Sequence, residues 1–164
     1  MKEKLAALAL ILLLFSCDAN RTNAKEISSK GTYMKASDIT TETKIRDIIF
    51  APGLGDWGRL LFPVNEGYYS GDTLGDLQLI WYSHINPQKT VEIVRYMKEH
   101  TLSGEQVFFD IYSEAEKRAD PAKQNTGLFF FRGKPGAKTA ICNAGGGFAY
   151  VGAMHDSLPH ALEL

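Results

Sequence analysis

Hydrophobic and polar positions divide the chain into stretches of different character. Residues 5–15 form an unbroken apolar run behind Lys2 and Lys4. A helix that spans a membrane needs about 20 apolar residues, so this run fits the hydrophobic region of a signal peptide, residues 1–16. Residues 17–44 are rich in Ser, Thr, Asn and Lys and predict a tether. The short apolar clusters Ile48-Ile49-Phe50 and Leu60-Leu61-Phe62 follow, interrupted by Gly53, Gly55 and Gly58. Asn86 and Pro87 then form a helix start, with Asn86 as N-cap and Pro87 in the first turn. Val91, Val94 and Met97, flanked by Ile93 and Tyr96, supply a broad apolar face, and Gly104 closes the region. The spacing predicts a helix over residues 87–100. Three strand-like runs come next, at 106–112, 126–132 and 138–142. The first alternates in part. The last is read as a short apolar run and predicts a strand buried on both faces, as in an α/β sheet. Residues 114–124 between the first two are charged and exposed, and Lys134-Pro135-Gly136-Ala137 spells a turn.

Composition adds little to that division but excludes several classes. The 164 residues are 45% hydrophobic and 23% charged, which suits one globular domain rather than a disordered or fibrous chain. The formal charge is −1, without the basic stripe of a nucleic-acid binder, so no nucleic-acid partner is expected. The two cysteines are Cys17 and Cys142. Leu14-Phe15-Ser16-Cys17 resembles the lipobox of bacterial lipoproteins, although Phe15 stands where a small residue is preferred. That resemblance implies lipid attachment at Cys17 and an exported lipoprotein anchored in the bacterial cell envelope. Cys142 is then left without a disulfide partner and reads as a buried strand residue. His155 and His160 are five apart, not four, and no H-E-x-x-H occurs, so neither metal nor cofactor is expected.

Two glycine-rich loops could carry chemistry. Residues 53–58 spell G-x-G-x-x-G, but Pro52 and Pro63 remove the strand and helix a dinucleotide site requires. The second loop is Asn143-Ala144-Gly145-Gly146-Gly147-Phe148. A dinucleotide fingerprint begun at Gly145 meets Tyr150 where it needs glycine. A P-loop begun at Gly147 finds Gly152 but then Ala153-Met154 in place of Lys and Ser/Thr. An oxyanion hole remains, in which backbone N–H groups stabilise the negative charge of an acyl-transfer transition state. One such donor is worth about 3–4 kcal/mol.

The strand before these glycines, the glycines with Phe148, and then His155-Asp156 and Pro159 resemble the α/β-hydrolase family of esterases, lipases and acetyl-xylan-esterase-like proteins. Ala144 stands where that family commonly has His or Pro. The resemblance implies an α/β fold. Residues 106–164 would be the first strands, the oxyanion loop and the start of the first helix of the sheet, incomplete as given. Residues 45–105 would be an N-terminal extension with one helix. It further implies that the Gly146 and Gly147 N–H groups face the oxyanion, with Gly145 permitting the turn and Phe148 supporting the loop. Tyr150 and His155 would line the pocket, or else pack at the helix entry, with Ser157 as N-cap. The implied substrate is a small ester, with acetylated carbohydrate as one candidate. The family's nucleophile sits in a G-x-S-x-G elbow, and this sequence contains none. The nucleophile, acid and histidine lie beyond Leu164 in the family, so the chain is expected to be an N-terminal part that is inactive alone. Residues 138–142 would then be an unprotected, aggregation-prone edge. Two alternatives stand beside this reading. One is a non-catalytic lipoprotein domain that binds glycan or peptide through Trp57, Tyr68, Tyr69, Trp81 and Tyr82. The other is a non-functional remnant.

Overall fold

A computed structural model describes residues 34–82 and 84–164. The stretches expected to be a signal peptide and the first half of a tether, with Cys17, lie outside the described residues. Among the described residues no helix is long and apolar enough to cross a membrane.

Packing begins inside the stretch expected to be a tether. Ile39 is fully buried, and its carbonyl accepts the Arg95 Nε–H at 2.9 Å. Thr41 and Thr43 carbonyls accept the N–H groups of Gly75 and Leu74 at 2.8 and 2.9 Å. Residues from Ile39 onward therefore belong to the packed domain. The sequence hides this because one isoleucine among polar residues carries no periodic signal.

Helix α1 (Ile45–Ile49) packs on a 3-10 helix, Gly55–Leu61. Strand β1 (Tyr69–Ser70) pairs antiparallel with β2 (Gln78–Leu79). Helix α2 (Pro87–Leu102) is the longest element, and it starts where the sequence places it. The Asn86 side chain accepts the N–H groups of Gln88 and Lys89, and Pro87 occupies the first turn. Its apolar face buries Val91, Ile93, Val94 and Met97. It packs against the 3-10 turn Ala36–Asp38 on one side and α4 (Ser157–Glu163) on another. Lys98 lies on the same buried face at 1% exposure. Its ammonium donates to the Pro52 carbonyl, fastening the loop ahead of the 3-10 helix, and burial pulls its pKa down.

The strand-like runs at 106–112 and 126–132 become β3 (Phe108–Asp110) and β4 (Gly127–Phe129), paired antiparallel with Phe109 opposite Leu128. Trp57 covers this ribbon, stacked on Phe108 at 5.8 Å and edge-on to Phe129 at 5.7 Å. Between the strands lies α3 (Glu114–Ala119), opened by a capping box between Ser113 and Glu116. The turn at Lys134-Pro135-Gly136-Ala137 closes with the Ala137 N–H on the Lys134 carbonyl at 3.0 Å.

Residues 138–142 depart from expectation. They form no strand, Ile141 is 80% exposed, and Cys142 is half-buried. Lys138 and Thr139 are polar, so only Ala140, Ile141 and Cys142 favour burial, and so short a run becomes a buried strand only where neighbours cover both of its faces. No described strand lies beside this one. Ser157 also differs: it is the first residue of α4, and Asp156 holds the N-cap position.

Candidate functional site

The glycine loop is closed on itself. The Asp156 carboxylate accepts the Gly145 N–H at 2.7 Å. The Gly145 carbonyl accepts the Gly152 N–H at 2.9 Å, and the Gly146 carbonyl accepts the Ala149 N–H at 3.1 Å. Gly146 has φ +143°, and a Cβ there would overlap the Tyr150 carbonyl oxygen. Gly147 has φ +59°, and its Cβ would stand 3.3 Å from the Trp81 ring. Only glycine meets the demands at 146. Among the described residues no acceptor takes the N–H of Gly146 or Gly147. Phe148 follows with φ +62° and its side chain wholly in solvent. A bulky residue in left-handed backbone stores strain of about 1–3 kcal/mol.

The loop forms one wall of an open cavity of about 390 Å³. Trp81 and Tyr82 form the wall opposite, and Tyr150, His155, Asp156 and His160 complete the lining. The Trp81 and Tyr150 rings lie 5.6 Å apart, and Tyr68 packs 5.4 Å from Tyr150 and 6.3 Å from Trp81. His155 stacks on Tyr82 at 4.5 Å, and its imidazole lies where a Cβ of residue 152 would fall, so Gly152 makes room for it. Its Nδ1 is buried with no hydrogen-bond partner among the described residues. Burial pulls the His155 pKa down, and nearby Asp156 opposes that fall. A neutral imidazole at neutral pH follows.

The structure thus gathers five residues singled out in the sequence: Gly145, Gly146, Gly147, Tyr150 and His155. Phe148 points away from the cavity, and Cys17 lies outside the described residues. Trp81, Tyr82 and Tyr68 reach the site from the aromatic set considered for glycan binding. Trp57 and Tyr69 of that set pack against the core instead. The sequence reading gives neither Asp156 nor His160 a place in the pocket: Asp156 enters only with His155 in the resemblance, and His160 only in a rejected metal pair. The sequence reading puts the N-cap at Ser157, and nothing local tells that the Asp156 carboxylate turns back to Gly145. Among the described residues the lining holds a carboxylate and two imidazoles but no Ser, Thr or Cys. Among the described residues no three His, Cys, Asp or Glu could hold a metal ion together. Comparison with models of known protein families, with curated proteins and with solved structures finds no match.

Proposed function

We propose that this chain supplies the oxyanion-binding part of an exported carboxylic-ester hydrolase, the N-terminal portion of an α/β-hydrolase anchored through a lipid on Cys17. The observation that supports this reading is the pair of unspent N–H groups at Gly146 and Gly147, on the wall of a cavity. Two adjacent donors with no internal acceptor suit a carbonyl oxygen that gains charge as its carbon turns tetrahedral. The donors are pre-placed, so no reorganisation is needed when the charge develops. The ester carbonyl would face the glycines and its remainder would lie toward Trp81 and Tyr150. Hydrolysis by this family needs an activated serine, and none stands among the described residues of the lining, so the reading takes the nucleophile from elsewhere.

The test is the native protein in membranes of the source cells. An antibody against residues 34–164 measures its mass, and a fluorophosphonate probe reports an activated serine. A labelled band well above the 18.2 kDa of this chain is the expected result. A band at that mass which takes no label and hydrolyses no acetyl ester overturns the reading. In that case a second reading gains. Trp81 is 60% exposed and stands with Tyr68, Tyr82 and Tyr150 around the cavity, which offers flat faces to sugar rings. Saturable oligosaccharide binding without turnover would identify a non-catalytic glycan-binding lipoprotein.

A further inference from the structure

We infer that Asp156 is the positioning residue of the glycine loop: it fixes the Gly145 peptide and so holds in place the next two N–H groups, which belong to residues lining the cavity. The inference rests on the ester-hydrolase reading of that cavity. Three observations carry it. First, Asp156 occupies the N-cap of α4, yet its side chain makes no capping hydrogen bond. Asp at an N-cap normally satisfies the helix's own first N–H groups. Here the carboxylate is turned away from the helix and onto the Gly145 N–H, at 2.7 Å. Second, the Gly145 peptide unit is held from both ends. Asp156 takes its N–H, and its carbonyl accepts from Gly152. Gly152 in turn accepts the Asp156 backbone N–H at 3.1 Å, which closes a ring of three contacts through residues 145, 152 and 156. Third, the N–H groups of Gly146 and Gly147 directly follow the clamped peptide and find no acceptor among the described residues.

The Asp156 charge makes the inference easy to separate from simple electrostatics. A carboxylate beside an anion site repels the anion. Its removal should tighten anion binding if charge alone matters. If Asp156 works by aiming donors, its removal should weaken binding instead. The two effects have opposite sign.

The experiment follows backbone amides of the full chain in detergent by ¹H–¹⁵N NMR, with acetate as the probe and chloride at matched ionic strength as control. In the parent chain the Gly145 amide is expected to exchange slowly with solvent, and the Gly146 and Gly147 amides to shift on acetate addition. In Asp156→Ala, Gly145 is expected to lose its protection and acetate affinity to fall about tenfold or more. Asp156→Asn keeps an acceptor oxygen without the charge, so it should bind acetate at least as well as the parent. A merely structural role would lower the melting temperature of both variants without this reversal. Parent-like or tighter acetate binding by Asp156→Ala overturns the inference. So does a Gly145 amide in the parent that exchanges like an unstructured one. If Asp156→Ala does not fold, the parent and Asp156→Asn decide. If the parent ignores acetate, the ester-hydrolase reading fails, while Gly145 protection still decides whether Asp156 clamps the loop.

Discussion

Residues 39–107 and residues 108–151 are built on different terms. The first stretch holds most of the core, from Ile39 through Leu54, Phe62 and Leu74 to the buried face of α2 and Val107. The second contains no buried residue at all, although it is as aromatic as its neighbour. The core resumes only at Gly152, Ala153, Met154 and Leu158. Apolar content therefore does not decide burial here; coverage by a neighbour does. The cavity sits at the seam between the two stretches. Trp81 and Tyr82 come from the packed side and the glycine loop from the exposed side. His155 follows where the chain re-enters the core.

The sharpest way to break the comparison is to cut one side chain from each stretch. Ile93→Ala, at a position with 0% exposure, should lower stability by about 2–5 kcal/mol in urea unfolding. Ile141→Ala should change it by less than about 0.5 kcal/mol. Equal losses would show that residues 138–142 are packed after all. Next in size is Asn86→Ala, which frees two N–H groups at the start of α2 and should cost about 1 kcal/mol. A smaller effect is expected from His155 at the seam. Its folded-state pKa lies below the unfolded value of about 6.5. Between those two values the unfolded chain binds more protons, so stability rises with pH across that window. The cost is fully present below the folded value. His155→Gln should flatten this slope in unfolding curves taken from about pH 5 to about pH 8. A slope that persists would place the responsible group elsewhere. The smallest effect on folding should come from Ile141→Lys, which leaves monomer stability within about 0.5 kcal/mol. It should nevertheless reduce light scattering on concentration, because a charge replaces an exposed apolar side chain.

What the sequence disclosed depended on how local the signal was. The α2 helix is legible because Asn86 and Pro87 act on their own neighbouring N–H groups. The turn at residues 134–137 is legible for the same reason. The α3 helix was equally available, since Ser113 and Glu116 have capping-box spacing, but its charged surface obscured it. Residues 138–142 misled because the three apolar residues Ala140 to Cys142 record a preference for burial and say nothing about who provides it. In the site, consecutive glycines announced the loop directly. Trp81 could not be foreseen there, because its approach to Gly147 depends on how distant segments pack. Asp156 was passed over as the cap in favour of Ser157 and was invisible as a clamp, because the direction of a carboxylate is settled by tertiary contacts. The α/β-hydrolase sheet itself stays a proposal, since both described sheets are two-stranded and antiparallel.

The placement of the two tryptophans has an optical consequence. Trp57 is sandwiched in the Phe108–Phe129 ribbon, while Trp81 stands in water at the cavity mouth. The pair should emit at different colours, blue from the ribbon and red from the mouth. Excited at a single wavelength, the protein carries two lamps. One dims when the ribbon comes apart, and the other responds when something enters the cavity.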